Sequence, residues 1–318
     1  MGWAFTKGLH EIGSGQYAYL QPTGTWGYSN AGLIVDGDQS LLVDTLFDEK
    51  LTAEMLATMR DATGIGGREV TTLVNTHANG DHTYGNRLIE NAEIIASQAG
   101  AHEMEELPPA VMARMMEAAP SMGEVGEFFQ HCFGDFDFAG ITLRMPTRTF
   151  SGSLDVKVGD KDVHLVEVGP AHTLGDVLVY VPEDRVVYTG DILFVDGTPI
   201  MWAGPVENWI RACNQIIGRD VDVVVPGHGP ITDRAGVAVM RDYLVFVNEE
   251  TCRRHAAGMS AEEAAFDIAL GDYQSWGDFE RIAVTVDTIY KGLNGDDSPA
   301  DAAALFSLMS RLKKDRQR

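Results

Sequence analysis

Cysteine is scarce: Cys132, Cys213 and Cys252 are the only three in 318 residues, and none is spaced as C-x-x-C or as a disulfide framework. That excludes a cross-linked secreted scaffold and a thiolate zinc ribbon, and points to free thiols in a reducing, cytoplasmic compartment. No run of eighteen apolar residues is present to span a bilayer. Residues 1–7 lack the basic start and apolar stretch of an export signal. Met1-Gly2 with Thr6 matches the myristoylation pattern, but a single chain without a second anchor does not hold a protein on a membrane, so no membrane partner is expected. Positive charge is the other shortage. Lys and Arg number 24 against 47 Asp and Glu, a net charge of −23, and such a surface repels a phosphate backbone. The one basic cluster, residues 311–318, is short and reads as a frayed end, so nucleic acid is excluded as a partner. No G-x-S-x-G or comparable nucleophile motif appears, which argues against covalent catalysis.

What is present is an ordinary globular interior, with 45% hydrophobic and 22% charged residues and enough chain to bury a sizeable core. Residues 31–36 and 40–44 flank Gly37-Asp38, and residues 154–158 and 163–168 flank Gly159-Asp160; each pair reads as a β-hairpin. Leu51, Met55 and Met59 form one helical stripe. Further strands are expected at 70–75, 92–97, 176–181, 185–189 and 221–225, with a helix at 206–217. Residues 98–147 break the alternation with two helical pieces around Pro108-Pro109, rich in Met104, Met112, Met115, Met116 and phenylalanine. They read either as a lid over an apolar ligand or as an ordinary helical layer. From 233 the chain is helical: 233–257, a capping-box helix from Ser260 that Gly271 would end, 278–293, and a last helix with Pro299 in its first turn.

The chemistry concentrates in Thr76-His77-Ala78-Asn79-Gly80-Asp81-His82, which follows the 70–75 strand. Imidazole nitrogen and carboxylate oxygen are the donors that hold zinc and related divalent ions. Three further candidates, His172, Asp191 and His228, each follow a strand-like run and sit beside glycine or proline. Loop residues at strand ends can converge on one sheet edge.

In this order the motifs resemble the metallo-β-lactamase superfamily, whose signature H-x-H-x-D-H is followed by a distant His, Asp and His. The resemblance implies an α/β fold, a four-layer αβ/βα sandwich over residues 1–232 with 98–147 inserted, and a helical appendage over 233–318. It implies His77, Asp81, His82, His172, Asp191 and His228 as ligands for one or two zinc ions, with iron or manganese also compatible. Asp191 would bridge, Asp81 would also serve catalysis, and Asp44, closing the 40–44 strand, would support the ligand turn from behind. One departure stands out: Asn79 occupies the place of the second His, as a weak ligand or a substrate contact, and Tyr84 is a second substrate-contact candidate. The implied activity is hydrolysis of a small-molecule acyl bond (thioester, lactone, ester or β-lactam), in the manner of glyoxalase II-like enzymes or polyketide cyclase/thioesterases, on an apolar or aromatic substrate. His77, His172 and Asp191 also compose a two-His-one-carboxylate set, as in the superfamily's persulfide dioxygenases, and a metal-bound protein without catalysis is the third alternative. A homo-oligomer is left open.

Overall fold

The computed structural model describes residues 3–316; Met1-Gly2 of the acylation pattern and the last two residues of the basic cluster lie outside the described residues. A seven-stranded sheet is built from β1 (Gly8–Gly13), β2 (Gln16–Leu20), β3 (Ala31–Asp36), β4 (Gln39–Val43), β5 (Thr72–Val74), β6 (Glu93–Ser97) and β7 (Arg148–Phe150), in that spatial order. The first four strands pair antiparallel and the last three join in parallel. A second, five-stranded sheet runs β12 (Val223–Val225), β11 (Val186–Tyr188), β10 (Val177–Val181), β9 (Lys161–Glu167), β8 (Ser153–Val158). Both sequence-read hairpins form with two-residue turns, since Asp36 faces Gln39 and Val158 faces Lys161. The β1–β2 hairpin was not singled out from sequence, because glycine interrupts its apolar pattern.

The sheets face each other through an interior of Ile34, Leu41, Val43, Val163, Val179 and Tyr188 and their neighbours. Alternation along each strand sends the other set of side chains outward. On the first sheet, Leu33, Leu42 and Leu73 meet Met55 and Met59 of α1 (Glu49–Thr63). On the second, Leu178, Tyr180 and Val224 meet α6 (Val206–Ile217) and α7 (Arg234–Ala256). The result is the expected four-layer αβ/βα sandwich.

A short helix, α2 (Gly80–Thr83), follows β5. The insertion holds three helices rather than two: α3 (Gln98–Glu103), α4 (Pro109–Ala118) and α5 (Gly123–Phe133). At the other end α8 (Ala261–Asp267) has the expected capping box from Ser260 and Glu263, but it stops before Gly271 because Ile268 turns extended to bury its side chain. Next come α9 (Ile282–Asn294) and α10 (Ala302–Arg316). Pro299 lies ahead of α10 rather than inside it; Asp301 caps that helix by accepting from the Ala304 amide at 3.0 Å. Nor is the basic C-terminal stretch frayed over its described part. Arg311 pairs with Glu262, Lys313 with Glu280 and Lys314 with Glu124, while α10 packs against α5. One continuous apolar cluster therefore links the insertion, the second sheet and the C-terminal helices.

Between the two sheets the buried Tyr188 ring lies on Gly32 of β3, in the space a Cβ would need. Tyr188 cannot retreat, because its hydroxyl donates to Gln16 Oε1 and the Tyr17 carbonyl, both at 3.1 Å. Gly32→Val is expected to cost about 1–3 kcal/mol, the usual range for overpacking. Urea unfolding would show it as a lower midpoint at unchanged slope.

Candidate metal centre

Each of the six sequence-selected donors lies just past a strand end on one edge of the sandwich. His77, Asp81 and His82 follow β5, His172 follows β9, Asp191 follows β11 and His228 follows β12. The β5 turn is held from behind. Asp44, at the end of β4, takes a left-handed backbone with φ 64°, a conformation that costs a non-glycine residue on the order of 1 kcal/mol. Its buried carboxylate accepts from the Thr76 amide and the Thr76 hydroxyl, each at 2.7 Å, and from His82 Nδ1 at 2.9 Å. Asn75 and Asn86 are buried scaffold. Asn86 donates to Asn75 at 2.8 Å, and Asn75 donates to the His82 carbonyl at 3.0 Å.

The same outer contacts set the imidazole tautomers. His172 Nδ1 meets the Ile200 carbonyl at 2.6 Å, His228 Nδ1 meets the Tyr28 carbonyl at 3.1 Å, and His82 Nδ1 meets the Asp44 carboxylate. All three partners only accept, so each Nδ1 carries its proton and each Nε2 is left as the inward lone pair. For His77, the Thr76 hydroxyl spends its proton on Asp44 and so accepts from Nδ1 at 3.0 Å. Asp191 sits in the middle. Its Oδ1 is 3.1 Å from His82 Nε2, and its Oδ2 is 3.4 Å from His172, 3.4 Å from His228 and 3.8 Å from His77. Asp81 Oδ2 lies 3.3 Å from His228 Nε2 and 3.9 Å from His82 Nε2. The rings of His82 and His228 are 5.7 Å apart. Gly227 makes this approach feasible, because a Cβ there would occupy the place of Asp191 Oδ1.

The cluster opens into a cavity of about 320 Å³. Its walls are mainly aromatic: Trp26 and Phe47 beyond the first strands, Phe129 and Phe133 from α5, Trp202, and Phe306 from α10. Met112 and Met115 of α4 also line it, whereas Met116 packs against the apolar cluster. Asn79 faces this cavity, and its side chain makes no hydrogen bond to the described residues. The Tyr84 ring forms part of the wall, and its hydroxyl donates to the Leu107 carbonyl at 2.9 Å, tying the insertion down. Trp26, Glu103, Arg281 and Phe306 are lining residues that sequence reasoning missed. None lies near a motif, and only folding brings them to the strand ends.

Comparison with known proteins places this arrangement. Residues 24–228 match the profile of the metallo-beta-lactamase superfamily. The chain belongs to that superfamily. Among curated proteins it is 33% identical over 88 residues to the 2,4-dinitroanisole O-demethylase subunit alpha of Nocardioides sp. (strain JS1661); the match covers 26% of this chain and 26% of that protein. The sec-alkylsulfatase Pisa1 from Pseudomonas sp. has a similar fold, with a TM-score of 0.69 at 16% identity over 93% of this chain and 52% of that one. The metallo-beta-lactamase from Pontibacter korlensis superposes with a TM-score of 0.55 at 18% identity, over 74% of this chain and 97% of that one.

The donor set here fits a divalent ion. Among the described residues, His77 Nε2, His82 Nε2, His172 Nε2 and Asp191 Oδ1 are buried without a hydrogen-bond partner, which is costly unless a cation completes them. Two groups have donor atoms close enough to share an ion: His77, His82 and Asp191, and Asp81, His82 and His228. Without the cation, protons balance the charge. Burial opposes ionisation of Asp191, yet His228, His82 and His77 hold it well below the carboxylate range. Burial likewise opposes charge on His228, but Asp191 and Asp81 lift it to about 9, and Asp191, Asp81 and Asp44 lift His82 well above its usual value.

Both imidazoles therefore carry protons at neutral pH that a metal must displace. Affinity for zinc should rise steadily as pH rises from 6 toward 9, with proton release in calorimetry across buffers of different ionisation enthalpy. A pH-independent affinity would contradict this charge balance.

Asn79 generates a second prediction. A neutral carboxamide is a weaker donor to zinc than imidazole, so the Asp81, His82 and His228 group should fill first and the His77 side more weakly. In a competitive chelator titration, Asn79→His should draw the second equivalent toward the first. Two equal, tight equivalents in the wild type would remove the asymmetry.

Proposed function

We propose that the protein is a metal-dependent hydrolase of an apolar or aromatic small-molecule acyl substrate: an ester, thioester, lactone or β-lactam, including the cyclase/thioesterase type. The observation that carries the reading is an aromatic-lined cavity ending on five buried donors and the partly buried Asp81. We assign catalysis to residues 1–232, with 98–147 and the 233–318 helices supplying the far walls. His77, Asp81, His82, His172, Asp191 and His228 would hold zinc, or iron or manganese, as one ion or two. When bound, such an ion supplies a water of lowered pKa and a Lewis-acid contact for a developing oxyanion.

The chain's own residues account for the rest. Burial opposes ionisation of Asp81, but His82 and His228 bring its carboxyl down to about 2. Asp81 thus stays an anion at neutral pH, able to orient the attacking water and accept its proton at Oδ2. Asp191, in reach of all four imidazoles, keeps them in register. The free carboxamide of Asn79 can donate to the substrate carbonyl. The aromatic walls exclude bulk water and position an apolar substrate.

A second reading keeps these roles and changes the bond. The 33% identity over 88 residues to a 2,4-dinitroanisole O-demethylase subunit favours an electron-poor aryl ether, in which water replaces the alkoxy group and the alcohol leaves.

Zinc-loaded protein should hydrolyse aryl esters or thioesters faster than short aliphatic ones, and a nitro-substituted anisole tests the ether reading. Asp191→Ala should lower turnover at least about a hundredfold with near-UV circular dichroism unchanged. Full activity in that folded variant would eliminate the mechanism, and oxygen uptake with a thiol substrate would point instead to a persulfide dioxygenase.

A further inference from the structure

Among the described residues, the cavity that ends on the donor cluster is lined by a single Lys or Arg, Arg281, from the 3₁₀ turn Phe279–Arg281 ahead of α9. The residue is 2% exposed, and its guanidinium lies 4.3 Å from the Trp26 ring centroid and 5.7 Å from that of Phe194. Burying a cation between two aromatic faces requires its N–H groups to find acceptors. One edge is satisfied. The Asp278 carboxylate lies 3.1 Å from one terminal nitrogen, and the other donates to the Thr198 carbonyl at 3.3 Å. The Nε–H has no partner among the described residues. Neither nearby acid makes a hydrogen bond to it, although Glu280 Oε2 is itself buried without a partner among the described residues. Asp278 also accepts from the Thr25 hydroxyl at 2.7 Å, and Glu280 is paired with Lys313 at 3.0 Å.

A guanidinium with one edge anchored and another unpaired, in the wall of an apolar cavity, is a donor waiting for an acceptor. Other charged groups lining the cavity, Asp81, Asp191, Glu103 and Glu106, are acids. They repel an anion, so apart from the metal centre with its histidines, Arg281 is the place where it can settle. We propose that Arg281 is the specificity-determining residue of this cavity, and that it receives an anionic group, a carboxylate or sulfonate, on an aromatic substrate whose ring lies among the aromatic walls. The inference rests on this cavity being the substrate site, but not on which bond is cleaved there. Asp278 is the positioning residue. It holds the guanidinium against Trp26 from a left-handed backbone with φ 55°.

The test uses the full-length, zinc-loaded protein and two probes of like shape, 2-naphthoate and its neutral amide, followed by calorimetry with tryptophan quenching as the second signal. Wild type should bind the carboxylate at least tenfold more tightly than the amide. Arg281→Gln should weaken the carboxylate about ten- to a hundredfold, the range for loss of one charged hydrogen bond, and change the amide less than threefold. Arg281→Lys should recover part of the difference. Should Arg281→Gln fail to fold, the wild-type comparison decides alone with 2-naphthalenesulfonate added, a poor zinc ligand that must still be preferred over the amide. Equal affinities for the sulfonate and the amide, or a carboxylate preference that survives in folded Arg281→Gln, would overturn the proposal. Because no turnover is read, failure of the acyl-hydrolase reading leaves this result intact. If neither probe binds at all, the cavity is not an aromatic site and the proposal falls with it.

Discussion

The structure depends on one electrostatic arrangement: the carboxylate of Asp191 enclosed by four imidazoles, with the Asp81 carboxylate beside it, away from bulk water. Like-charged and unsatisfied groups in a low-dielectric interior are tolerated only when their positions are forced and a counter-charge is supplied. Here the force comes from strand ends. Four strands deliver donors to the same edge, and each imidazole is pinned through its far nitrogen by an acceptor with no freedom to move away.

Asp44 shows how far that forcing extends. Its carboxylate ties together the turn after β5, through the Thr76 amide, and the ring of His82. The Thr76 hydroxyl relays the same constraint to His77. A strained backbone at one strand end thus orients two donors on a neighbouring loop. Such outer contacts commonly govern metal affinity as strongly as ligation itself.

The cavity is assembled on a different principle. Its walls come from the insertion, the N-terminal loops and the C-terminal helices, joined in one apolar cluster with Trp26 between Phe133 and Phe306. Met112 and Met115 face the cavity, while Met116 and Phe128 pack in the core. A helix that is part wall and part core couples substrate preference to stability, so loss of a lining side chain acts on both.

Local chemistry made part of this legible from sequence. Two-residue turns at Gly37-Asp38 and Gly159-Asp160 set both hairpins, four-residue apolar spacing set α1, and the His/Asp motifs marked all six donors, since strand, turn and ligand type are encoded within a few residues. Boundaries that depend on distant partners were not legible. Ile268 leaves α8 early to bury itself, and the basic tail becomes a helix because Glu262, Glu280 and Glu124 lie opposite it. Sequence by itself determined the layers and the superfamily. The tertiary structure alone decided that Asp191 stands between the imidazoles, that Trp26 and Phe306 share a wall, and that a buried Arg281 with an unpaired N–H faces the same cavity. Those contacts join residues up to 280 positions apart in the chain, a distance over which no local pattern carries information.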